Sequence, residues 1–280
     1  MRTIEAGAIT DAVEKTFMEI THLLGDDLVA ALEKAHREEE SPLGKEILSH
    51  LLQNVKIGRE EKMPVCQDTG TSVVFVEMGQ EVQVVGGGLF EAINQGVGQA
   101  YTKGYLRASI VRDPILRGST GDNTPPVVHV EVAPGNQFKI TMMAKGSGCE
   151  NMSRFSMLTP AQGRKGIIDF VVDTVRRGGG RPCPPLIVGV GLGGTFDQAA
   201  WIAKKSLFRR VGAHHSEPHI RELEEELLEK VNNLGMGPQA WGGRITALSV
   251  HVEKYPTHIA SLPVAVNIEC HSHRVRTVAL

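Results

Sequence analysis

The 280 residues are 41 % apolar and carry a net charge of −2, from 30 basic and 32 acidic side chains. That is enough chain for one large or two modest domains with a real core, and without a basic stripe a nucleic-acid surface is not expected. The first fifteen residues contain acids and lack a continuous apolar core, so neither a signal peptide nor a membrane span is expected, and a cytoplasmic location is.

Residues 1 to about 60 are predicted to be helical. Ile9, Val13, Phe17, Ile20 and Leu24 recur at helical spacing, as do Leu43, Ile47, Leu51 and Val55. Asp26 and Ser41-Pro42 are the expected helix starts. The character then changes. Residues 73–79, 127–133 and 138–144 are rich in β-branched side chains and read as strands, with a helix over 89–106 and a turn-forming loop over 118–126. A helix near 161–177 is followed by the apolar strand PLIVGVGLGG and a helix TFDQAAWIAKKSLF. A longer helix comes next, with Ser216 as its expected cap, an apolar stripe from Ile220 to Leu234 and Gly235 closing it; Glu224, Glu225 and Glu226 are expected on its solvated face. LSVHVE and LPVAVNIEC alternate as strands, the second delivering Cys270 at its end. The expected fold class is mixed α/β. A helical region over 1–60 precedes one compact body over 61–280 of mixed sheets flanked by helices, without a repeat or an obvious linker.

Four cysteines, none in a C-x-x-C pair, are too few for a disulfide scaffold and suit a reducing compartment, as thiols or metal ligands. Cys66 in PVCQDTG, Cys183 in RPCPP and Cys270 in ECHSHR each fall at an expected strand end or turn beside polar groups. They lie too far apart for a local zinc knuckle. If the three thiolates meet, the fold must gather them, which favours a cluster over a zinc finger. Taken singly, each is as well explained as a small buried hydrophobe. If the strand ending at Cys270 continued, His271 and His273 would face away from that thiol, which disfavours zinc there. Gly189 to Gly194 follows a strand and opens a helix like a dinucleotide turn, but the glycine order is incomplete and no acidic residue ends a following strand; tight strand–helix packing is the expected explanation.

The segments PVCQDTG, KGSGCEN, CPPLIVGVGLGG and CHSHR, in that order, resemble the α subunit of the two-chain class I fumarate hydratases, with L-tartrate dehydratase and mesaconate-hydrating enzymes as relatives. The resemblance runs from the helical N-terminus to residue 280. It implies an iron–sulfur hydro-lyase of the tricarboxylic acid cycle, sensitive to oxygen, with Cys66, Cys183 and Cys270 holding a [4Fe–4S] cluster. Cys149 falls where relatives commonly carry serine and is read as a spare thiol. Were it a fourth ligand, the cluster would be saturated, and an electron-transfer or sensor module would be the alternative. The resemblance further places Gln67, Asp68, Arg107, the backbone of Gly148 and His258 around a dicarboxylate substrate. A guanidinium grips a carboxylate through two parallel hydrogen bonds, which suits Arg107 to one end of fumarate. Asp68 is expected to orient the attacking water, and His258 to pair with Asp68 or donate to a substrate carboxylate. Single-chain relatives carry further catalytic residues in a C-terminal domain that nothing here resembles. A separate β subunit is therefore expected, in an α2β2 assembly.

Overall fold

The computed structural model describes residues 1–280. In chain order the elements are β1 (Arg2–Glu5), α1 (Ala6–Ile20), α2 (Asp26–Glu38), α3 (Pro42–Glu61), β2 (Thr71–Gly79), β3 (Val82–Val85), α4 (Leu89–Lys103), β4 (Val127–Ala133) and β5 (Phe138–Lys145). They continue with the single turn α5 (Ser147–Glu150), β6 (Arg154–Leu158), α6 (Gly163–Gly178), β7 (Leu186–Gly193), α7 (Phe196–Ser206), α8 (Pro218–Asn232), β8 (Ala247–Tyr255), β9 (Leu262–Glu269) and β10 (Val275–Ala279). The mixed α/β class expected from the sequence is the class observed. Asp26 and Pro42 do open α2 and α3, and the Ser41 hydroxyl accepts the Gly44 N–H at 3.2 Å as an N-cap should.

The chain divides into two compact units, neither contiguous: Met1–Gly25, Val55–Ser147 and Arg274–Leu280 form the first, and Asp26–Asn54 with Gly148–His273 the second. In the first unit a four-stranded sheet runs β10-β5-β2-β4, with β2 and β4 parallel and the other pairs antiparallel, beside a two-stranded parallel pair β1-β3. Ile9, Val13 and Phe17 of α1 and Ile93, Val97 and Tyr101 of α4 bury against Val74 and Val76 of β2 and Ile140 and Met142 of β5. The two helices meet closely at Gly96, where a Cβ would stand 2.7 Å from the Thr10 carbonyl oxygen.

The second unit holds the sheet β6-β9-β7-β8, in which only β7 and β8 are parallel. Leu186, Val188 and Val190 of β7 join α6 and α8 in one core. Gly189 and Gly191 point the other way, toward α7, where a Cβ would lie 2.4 Å from the Ala203 oxygen and 2.1 Å from the Ala199 oxygen. The glycine run therefore serves close strand–helix packing, as the sequence led us to expect.

Two expectations need correction. Glu224 is not on a solvated face: it is 3 % exposed, bonds the Arg209 guanidinium, and accepts the backbone N–H groups of His215 and Val252 at 2.9 and 2.8 Å. The helix α8 starts with Pro218 in its first turn and Glu217 at the boundary, so Ser216 is not its cap. In addition, β1 opens the region read as wholly helical, and β3, β6 and β10 are strands the sequence reading left out. No helix is long and apolar enough to cross a membrane.

Candidate metal centre

In the first unit, the segment from Lys62 to Gly70 links α3 to β2 and carries Cys66, which is half-buried. Val65 anchors it, donating its N–H to the Thr21 carbonyl at 2.9 Å. Asp68 folds the turn: its carboxylate accepts the Gly70 N–H at 3.0 Å and the Ser147 N–H at 2.9 Å, while its carbonyl accepts from Arg274 at 2.7 Å. Arg274 is 1 % exposed, so a buried guanidinium is spent on holding this loop. The Tyr101 hydroxyl stands 2.8 and 2.9 Å from the carbonyl oxygens of Thr69 and Gly70, and burial pushes its pKa up. Arg107 shares the same support, its N–H donating to the Thr69 hydroxyl at 3.0 Å while its side chain is exposed. Cys66, Gln67, Asp68 and Arg107 thus belong to one braced loop system, with Gln67 exposed beside the thiol.

In the second unit, Cys183 sits in the turn before β7 with φ +55°, a left-handed conformation disfavoured for a residue with a Cβ, and its side chain is exposed. The His271 Nδ1 lies 3.0 Å from the Cys183 carbonyl, which brings the turn after β9 beside the turn before β7. Residues 270–273 form that turn and do not prolong the strand, so the alternating-face argument about His271 and His273 does not apply. Gly148 adjoins the same corner, where a Cβ would lie 3.1 Å from the Arg181 carbonyl oxygen. Cys149 and Cys270 are both buried, and each thiol approaches the Glu269 carboxylate, at 3.7 and 3.6 Å. Their two sulfurs and a Glu269 oxygen all lie within 4.8 Å of one another, and the Ser272 hydroxyl is 3.1 Å from the Cys270 sulfur. Two thiols and a carboxylate withdrawn from water repel one another once ionised, and a soft cation relieves that repulsion. All four cysteines are thiols, so the donor set fits an iron–sulfur group chemically.

In the second unit the turns bearing Gly148, Cys183 and Cys270 therefore adjoin, while the thiols that meet at Glu269 are those of Cys149 and Cys270 and do not include Cys183. His258 stands elsewhere in it, on the exposed loop after β8, where its Nδ1 accepts the Ala260 N–H at 3.2 Å. It lines a cavity of about 620 Å³ shared with Gly194, Thr195 and Phe196 at the start of α7.

A family profile described as Fumarate hydratase (Fumerase) matches residues 10–279. The chain belongs to that family. A protein of Methanocaldococcus jannaschii carrying the provisional name L(+)-tartrate dehydratase subunit alpha is 40 % identical over 274 residues, covering 95 % of each chain. The L(+)-tartrate dehydratase subunit alpha of Escherichia coli is 32 % identical over 273 residues, 96 % of this chain and 90 % of the relative. At the level of class, this is a chain of a hydro-lyase family.

Glu269 and Arg274 escaped the sequence reading of this site. The signal for Glu269 was an acid ending the apolar run LPVAVNI, and for Arg274 an arginine closing CHSHR; both are buried, at 0 % and 1 % exposure. A charge in such a place needs a local purpose.

Proposed function

We propose that the chain is the α component of an iron–sulfur hydro-lyase that reversibly adds water to fumarate to give L-malate. Cys66, Cys183 and Cys270 hold a [4Fe–4S] cluster, Cys149 stays a non-ligand thiol, and a separate β subunit completes the pocket. The observation that carries this reading is the corner of the second unit. There a strained, outward-turned Cys183 and Cys270 are fixed on adjoining turns by the His271 contact. When bound, a cluster with three cysteine ligands leaves one iron open as a Lewis acid for water and a carboxylate.

The protein's own residues do the rest. Arg107 binds one substrate carboxylate through its guanidinium, and Gln67 and the Gly148 N–H donate to the other oxygens. Asp68, its carboxylate fixed by two backbone N–H groups, holds its orientation toward the water without side-chain rearrangement. His258, whose Nδ1 accepts the Ala260 N–H, stands at the opposite end of β7 and β9 from Cys183 and Cys270, so within one chain it is not placed at this pocket. None of these groups is suited to removing the carbon-bound proton, so the base is assigned to the β subunit. The K-G-x-G-x-E-N form of residues 145–151 supports fumarate as substrate. The names of the relatives favour a second reading, dehydration of L(+)-tartrate.

Iron and acid-labile sulfide should be measured on the anaerobically reconstituted chain, with each cysteine changed in turn to serine. About four of each per chain, lost in the Cys66, Cys183 and Cys270 variants and kept in Cys149→Ser, is the expected result. Retention in any of the first three, or loss at Cys149, contradicts the ligand set. Rates on fumarate and L(+)-tartrate with the β subunit present, before and after exposure to air, then decide the substrate and test the expected oxygen sensitivity.

A further inference from the structure

β4 is the outermost strand of the first unit's sheet, and β2 is its only strand partner. Its other edge presents a row of backbone donors and acceptors, and such edges ordinarily carry lysine, proline or a bulge that prevents pairing. The sequence VVHVEVA from Val127 to Ala133 contains no lysine or proline, and its pairing with β2 is regular throughout. Three of its valines are exposed, Val127 at 43 %, Val130 at 39 % and Val132 at 68 %.

The order of side chains along the strand is self-complementary. In an antiparallel pair centred on Val130, Val128 faces Val132 of the other strand, Val130 faces its own copy, and Val132 faces Val128. One face of the pair becomes a continuous stripe of six valines. On the opposite face His129 lies across from Glu131, twice, and Val127 across from Ala133. Centring on His129 or on Glu131 instead sets like residues against each other, and a one-residue displacement sets Glu131 against Val128. Directly opposed β-branched residues stabilise an antiparallel ladder, an imidazole N–H across from a carboxylate can donate to it, and like charges directly opposed destabilise the pair. A pairing in which each residue meets its reciprocal is the isologous contact of a two-fold dimer. The occupant that matches this edge is a second copy of this chain.

We infer that two copies of this chain associate through antiparallel pairing of β4 about Val130. The test is the mass of the full chain, with any subunit that co-purifies, by light scattering during gel filtration, together with two variants. Two copies per particle are expected for the wild type and one for Val130→Lys, with the circular dichroism spectrum unchanged. Val130→Cys, placed on the two-fold axis, should give a reducible product of two copies under mild oxidation that the wild type does not form. One copy per particle in the wild type, two copies retained by Val130→Lys, or cross-linking of Val130→Cys to a different subunit overturns the inference. If Val130→Lys fails to fold, the Val130→Cys product decides by itself. The readout is mass and linkage, so it does not depend on the cluster or on the substrate.

Discussion

His251 is the histidine most completely withdrawn from water, at 0 % exposure. Burial first, and then the positive charge of Arg209, hold its pKa down to about 3 from an ordinary 6.5. Its ring is neutral, with Nε2 at 2.7 Å from the Ser249 hydroxyl and Nδ1 at 3.2 Å from the Ser206 carbonyl. Below about pH 6.5 the unfolded chain takes up a proton that the folded chain refuses, so stability present above 6.5 is lost as pH falls toward 3. The full effect is on the order of 5 kcal/mol. Urea titrations at pH 7 and pH 4.5 should show a smaller loss for His251→Gln than for the wild type. Equal losses in both would mean that this histidine does not set the acid limit. Residues of this kind are poorly legible in a sequence, because burial of a polar side chain depends on what the fold packs around it. The thiols of the four motifs could be singled out from local context, whereas Glu224 reads as one of three surface acids and proves to be the buried partner of Arg209.

At the scale of elements, periodicity was a good guide wherever one face is apolar over several turns, as in α1, α4 and α8. It failed for short strands. β3 has four residues, β6 and β10 five each, and apart from the buried Val82 of β3 their positions are a mixture of exposed and half-buried, so each is defined by its partner strand and not by its own side chains. β7 was legible for a different reason: an apolar run with glycine at alternate positions fits a strand with a helix pressed close to one face. The β7–α7 contact leaves no room for a methyl group. Gly191→Ala would place its Cβ 2.1 Å from the Ala199 oxygen and 2.7 Å from the Ala203 nitrogen, both backbone atoms. A loss of about 3 kcal/mol is expected by urea titration. Gly118→Ala, where nothing lies within 4 Å, should change stability by less than about 0.5 kcal/mol. Similar effects for the two substitutions would show that α7 yields freely.

At the scale of the whole molecule, the two units take the chain in turns, with crossings after residues 25, 54, 147 and 273. No change of composition marks these crossings; one falls inside α3, and two fall inside the KGSGCEN and CHSHR motifs. β10 makes the first unit depend on the far end of the chain. Its residues Val275–Ala279 pair with Met143–Lys139 of β5, the Thr277 and Thr141 hydroxyls meet at 2.8 Å, and Arg276 bonds Glu19 of α1. Deleting residues 275–280 should therefore turn β5 into an edge. Hydrogen exchange across Phe138–Lys145 should accelerate and the melting temperature should fall, and unchanged exchange there would show that β10 is dispensable.

That last strand also bears on how the protein is made. A chain that folds as it leaves the ribosome completes its domains in the order of synthesis. Here β2, β4 and β5 emerge early, yet β5 lacks its second neighbour until every residue of the other unit has been translated. The first unit to appear is thus the last to close, and throughout that interval an apolar strand edge waits in the cell for a partner still being synthesised.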